Sequence, residues 1–199
     1  MSFDLFWALL IFTFVMTVTP GPNTMMLLAS GVNFGFRATV PHMAGITLGF
    51  GLMTVLVGMG LGEVFKLFPV LYKALSYAGA AYMLYLAWKI AKTRSMGEGK
   101  AGSRPMTFLQ AAAFQWINPK AWVMAVTAIT TYTIPSAYTF SVLLLTAMFM
   151  AMAVPGCSVW VLFGTGVRRW LENPVRLRVF NVAMAILLVL SLVPAFWHG

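Results

Sequence analysis

Six apolar stretches, each long enough to cross a bilayer, leave little of this chain for water. A membrane-spanning helix needs about 20 predominantly apolar residues. The candidates run over 4–31, 40–62, 69–91, 107–133, 137–166 and 175–197. Between the third and the fourth lies KTRSMGEGKAGSRPM, 92–106, the one polar and glycine-rich linker. No alternating pattern competes with these uniform runs. Hydrocarbon satisfies no backbone group, so a spanning segment of this kind is helical. The expected fold is an all-α integral membrane protein with six transmembrane helices in one domain, 1–199. A first three-helix half covers 1–91, a linker 92–106, and a second three-helix half 107–199.

Charge sharpens this. Only 9% of residues are charged and 61% are hydrophobic, against about 25% charged in soluble domains. Thirteen bases and four acids give +9. No basic patch is interleaved with polar surface, so nucleic acid is excluded as the partner; most of the bases fall in the gaps between spans. Ten collect on one side: Arg37; Lys89, Lys92, Arg94, Lys100 and Arg104; Arg168, Arg169, Arg176 and Arg178. Lys66 and Lys73 are alone on the other. The positive-inside rule makes the first side cytoplasmic, which puts the 92–106 linker inside and both termini outside. Trp7 and Trp197 suit the outer interface. The N-terminus, MSFDLFW, has no basic region, and its apolar run reads as a retained segment rather than a cleaved signal. A single cysteine, Cys157, in apolar context rules out an internal disulfide and reads as inert packing.

The first span contains TVTPGPNTM, 17–25, with Pro20, Gly21 and Pro22 in succession. The fourth contains Asn118-Pro119-Lys120. Each break opens its half of the chain. With three spans per half, the second half enters the membrane from the opposite side, so a duplicated unit would be an inverted repeat with helices 1 and 4 broken. Paired Gly/Pro interruptions at corresponding positions point to a transporter's binding site. Proline lacks an N–H. Pro20, Pro22 and Pro119 therefore leave the carbonyls of Met16, Val18 and Gln115 without their helical donors, a cost of several kcal/mol each in hydrocarbon unless satisfied otherwise. Pro22 suits the first position of a new half-helix, whose positive end attracts a carboxylate. Asn23 offers donor and acceptor together, and Thr19 a hydroxyl.

Lys120 is the sole charge deep in a span, and no acid lies deep enough to pair with it. Its partners must be carbonyls, water or an anionic ligand group, and an ionisable residue at this depth defaults to function. The missing acids exclude a cationic substrate side chain. A neutral zwitterion fits: its carboxylate meets the dipole and Lys120, and its amine meets the freed carbonyls. The expected substrate is a small neutral amino acid. The glycine pairs Gly31/Gly35, Gly45/Gly49 and Gly58/Gly62 read as close helix packing, which also permits a homodimer. Gly79-Ala80-Ala81 reads the same way. His42 is expected at an interface, and Pro155-Gly156 as a kink.

"TPGPN" (19–23), "GFRATVPHMAGITLGFG" (35–51), "GAAYMLYLAWKIAK" (79–92) and "QWINPKAWVM" (115–124) resemble, in order and over nearly the whole chain, the LysE/RhtB family of amino acid exporters. The resemblance implies a six-span bacterial inner-membrane protein. It implies efflux of amino acids or their derivatives driven by the proton motive force, with protons as coupling ion. Family features carry over onto Pro20, Gly21, Pro22 and Asn23, and onto Asn118, Pro119 and Lys120. The chain looks closer to the cysteine, O-acetylserine, threonine and homoserine exporters than to those for lysine or arginine. It departs at Ala38-Thr39-Val40-Pro41, where a glycine is often found.

The expected substrate-binding set is thus Thr19, Pro20, Gly21, Pro22, Asn23, Gln115, Asn118, Pro119 and Lys120, with no cofactor, no metal and no catalytic residue. Three other classes compete. A membrane thiol-redox shuttle needs a cysteine pair. A metal-efflux protein needs ligand clusters that His42 and His198 do not make. A non-transporting subunit needs neither the paired breaks nor Lys120.

Overall fold

The computed structural model describes residues 3–62, 67–93 and 104–192. Most of the 92–106 linker, and with it Arg94, Lys100, Lys66, Trp197 and His198, lies outside these. The described residues are helical throughout, joined by short turns, with no strand among them. Helix α1 covers Phe3–Val18, α2 Pro22–Phe34, α3 Phe36–Leu56 and α4 Pro69–Lys92. After the linker come α5 Phe108–Phe114, α6 Pro119–Tyr132, α7 Tyr138–Val167 and α8 Pro174–Leu190.

The ends of these helices follow local chemistry. Pro22, Pro69, Pro119 and Pro174 each open a helix at its first turn, where the missing N–H costs nothing. Thr107 and Gln110 form a reciprocal capping box at α5: Gln110 N donates to Thr107 Oγ1 at 3.3 Å, and Thr107 N donates to Gln110 Oε1 at 3.0 Å. Asn173 caps α8 by accepting from the N–H groups of Val175 and Arg176. The expected gap between the first two spans shrinks to one residue, Gly35, at φ 82°, a conformation that favours glycine. Gly35 is therefore a turn and not the packing glycine that its spacing from Gly31 suggested. Gly60, at φ 107°, similarly kinks the π-helical end of α3 at Val57–Leu61.

Small residues set the packing. A Cβ on Gly31 would lie 2.4 Å from the Val161 carbonyl oxygen, and one on Gly164 would lie 2.5 Å from that of Leu28. Helices α2 and α7 thus meet backbone to backbone. Gly45 and Gly49 do the same against Phe108 and Ala112 of α5, and Gly79 of α4 against Ile117. Among the described residues Gly62 makes no such close approach: the nearest atom to its Cβ position is Val57 Cγ1, at 3.8 Å. Pro155 lies inside an unbroken α7, and Gly156 beside it admits Thr17 of α1.

The interior is apolar, with Phe50, Met53, Leu145 and Phe149 at its centre. The exterior is apolar too: Ile11, Leu52, Leu84, Val123, Phe163 and Ile186 are all exposed. A surface of this kind suits lipid and not water. Two helical stretches, Phe36–Leu61 and Pro135–Val167, are long and apolar enough to cross a membrane. A third candidate is the pair α1 and α2, bent by 53° at its break. His42 corrects an expectation. It is 1% exposed inside the bundle, and neither ring nitrogen has a hydrogen-bond partner among the described residues.

Candidate functional site

The two breaks face each other. The first separates α1 from α2 at Thr19-Pro20-Gly21, and the second separates the 3₁₀ turn Gln115–Ile117 from α6 at Asn118. A cavity of about 50 Å³ lies between them, lined on its polar side by Gly21, Asn23, Thr24, Gln115, Asn118 and Lys120. Leu27, Ile46, Phe50, Met124, Ala153 and Cys157 form its apolar wall. Five of the nine expected residues line this space. Thr19 and Pro20 reach it through their carbonyls. Pro22 and Pro119 act as the first residues of α2 and α6.

The halves are joined by side-chain amides. Asn23 Nδ2 donates to Gln115 Oε1 at 2.8 Å, and Gln115 Nε2 donates back to Asn23 Oδ1 at 3.2 Å. Gln115, fully buried, also donates to the Ala111 carbonyl at 2.9 Å. Such a closed pair fixes the orientation of both groups.

Lys120 crosses the same gap. Its Nζ donates to the Thr19 carbonyl at 2.6 Å and approaches that of Pro20 at 3.4 Å. The expected carbonyl partners are thus those of the break itself. Gly21 makes room: a Cβ there would sit 2.8 Å from Lys120 Cδ. Among the described residues the only carboxylates are Asp4, in the first turn of α1, and Glu172, beyond α7. Neither lines the cavity.

The two half-helix starts differ. At α6, Asn118 Oδ1 accepts from Lys120 N at 3.1 Å, and Ala121 N donates to the Asn118 carbonyl at 3.0 Å, so this end is closed by its own cap. At α2 the first N–H to find a carbonyl four residues back is that of Met25, bonded to Gly21 at 3.0 Å. The N–H groups of Asn23 and Thr24 precede the helical ladder and carry the positive end of its dipole.

Three expectations change. The Val18 carbonyl is not free: Trp160 Nε1 of α7 donates to it at 3.0 Å. The Gln115 carbonyl accepts from Asn118 N at 3.3 Å. The Thr19 hydroxyl donates back to the Val15 carbonyl, so its proton is already committed to α1 and only its acceptor side is left for a guest. Thr24 was missed. Its hydroxyl accepts from Gly21 N at 2.7 Å and donates to the Gly21 carbonyl at 2.9 Å, which rigidifies the break. A threonine three residues after a glycine before Pro-Asn is a local signal that sequence reading had available. The apolar wall carried no such signal, because Leu27, Ile46 and Met124 are ordinary residues of apolar runs.

No group of three potential metal ligands occurs among the described residues. Comparison with known proteins adds three findings. A family model described as "LysE type translocator" matches residues 14–192. The cysteine/O-acetylserine efflux proteins of Escherichia coli strain K12, E. coli O1:K1 and Shigella flexneri serotype 5b are each 32% identical over 194 residues, covering 96% of both chains. No solved structure matches.

Proposed function

This chain belongs to the LysE type translocator family, and from that premise we propose that it exports small neutral amino acids or their derivatives across the bacterial inner membrane. The family is one of membrane transporters and not of enzymes. The observation that carries the substrate class is Lys120, held in a cavity between two helix breaks with no carboxylate among the described residues that line it. A substrate carboxylate finds there an ammonium, the open end of α2 and the Asn23 amide. No acid waits for a cationic side chain, and the apolar wall suits a small uncharged one. The efflux proteins named for cysteine and O-acetylserine support the same class.

The reading extends to architecture. Six spans form two inverted three-helix halves, 1–91 and 107–199, joined by a cytoplasmic 92–106 linker, with both termini periplasmic. The halves rock about the site in alternating access, driven by the proton motive force.

The test is to express the chain in cells loaded with amino acids or their dipeptides and to profile which ones leave faster than from cells carrying Lys120→Met. Faster release of neutral amino acids by the unsubstituted chain alone is expected. Equal release from both overturns the site, and selective release of basic amino acids overturns the substrate class.

A further inference from the structure

The cavity between the breaks is tight for its proposed cargo: about 50 Å³, against about 300 Å³ or more for a typical small-molecule pocket. An amino acid backbone alone has five heavy atoms. The side chain of Lys120 narrows the space, lying across Gly21 with its Cδ 2.8 Å from where a Cβ on that glycine would be. Its ammonium rests on the Thr19 and Pro20 carbonyls. These two carbonyls belong to a backbone that Pro20 and Pro22 have removed from the helical ladder, so they require a donor from elsewhere. The α-ammonium of an amino acid is the same chemical group as Lys120 Nζ, with three donors and one positive charge.

We propose, resting on the amino acid reading above, that Lys120 is a tethered competitor for the substrate's own amine site. In the empty carrier its ammonium fills the subsite made by the Thr19 and Pro20 carbonyls. On binding, the substrate's α-ammonium takes those carbonyls, and Lys120 swings to the substrate's carboxylate beside the open start of α2. One ammonium replaces another, so the carbonyls are never left bare and the charge at the break does not change. Both substrate groups are needed. A carboxylate alone draws Lys120 off and strands the carbonyls. An amine alone displaces Lys120 with nothing to receive it. Selection for a free α-amino acid therefore comes from the exchange, without any acidic residue.

The test is calorimetric binding to purified protein with three probes: L-cysteine, L-cysteine methyl ester, which keeps only the amine charge, and N-acetyl-L-cysteine, which keeps only the carboxylate. The unsubstituted protein is expected to bind L-cysteine alone. Lys120→Met and Lys120→Gln, checked for monodisperse elution, are expected to lose L-cysteine affinity by about tenfold or more, the scale of a charged hydrogen bond. Both are expected to gain measurable binding of the methyl ester. Loss of every probe in folded variants overturns the exchange while leaving the substrate class standing. Ester binding as strong as that of L-cysteine by the unsubstituted protein overturns it without reference to any variant. Failure of L-cysteine and of every other neutral amino acid to bind the unsubstituted protein overturns the transport reading and the exchange with it.

Discussion

Buried amides and hydroxyls carry the specific geometry of this otherwise apolar molecule. Asn23 and Gln115 exchange two hydrogen bonds across 92 residues of sequence. Asn181 accepts from Asn33 at 3.1 Å and donates to the Thr93 carbonyl at 2.9 Å. Against this background His42 stands out, because it is buried with neither ring nitrogen partnered among the described residues. An unsatisfied buried polar group costs about 1–3 kcal/mol. His42→Leu is therefore expected to raise the melting temperature of the purified protein; a marked fall would show that the imidazole is satisfied. The prolines at 20, 22 and 119 announced the breaks, because a missing N–H is a property of the residue itself. What the freed carbonyls bind was not legible. Trp160 reaches Val18 from 142 residues away, and nothing in the local sequence of either residue signals the other. His42 was misplaced for a similar reason: Arg37 and Pro41 read as an interface, but helix α3 runs through Pro41 and takes its neighbour inward.

At the scale of elements, several helix contacts rest on glycines facing backbone. The closest are Gly45, where an added methyl meets the Phe108 carbonyl oxygen at 2.3 Å, and Gly31, where one meets the Val161 carbonyl oxygen at 2.4 Å. Backbone cannot yield as a flexible side chain can. Gly31→Ala is expected to destabilise by about 1–3 kcal/mol, read as a lower thermal midpoint in detergent. Gly166→Ala on α7, where a Cβ meets nothing within 4 Å, is the matched control and is expected to be silent or mildly stabilising. Most helices were legible because an apolar run of about 20 residues has few other uses. Their ends were less so. The gap expected around 32–39 is only Gly35, since one glycine at positive φ turns the chain where a longer connection was anticipated. Gly31/Gly35 and Gly58/Gly62 show the limit of spacing as a guide. In each pair one glycine packs tightly, while the second turns the chain or makes only an ordinary contact among the described residues.

For the whole molecule, the distribution of Lys and Arg makes a claim that contacts between helices do not address. Ten bases on one side of the six proposed spans and two on the other predict a periplasmic C-terminus. A C-terminal alkaline phosphatase fusion is expected to be active and the matching fluorescent-protein fusion dark; the opposite pattern overturns the orientation. The turn at Gly35 bears on how such a molecule moves. Helices α2 and α3 are separated by that single residue, and α2 begins at the cavity while α3 borders it through Ile46 and Phe50. Gly35 N donates to the Gly31 carbonyl at 3.0 Å, so even the hinge residue is stitched to the helix before it. A connection this short has no slack. A movement of α2 that displaces its C-terminal end carries the start of α3 with it, so the two walls of the cavity are tethered to each other through Gly35.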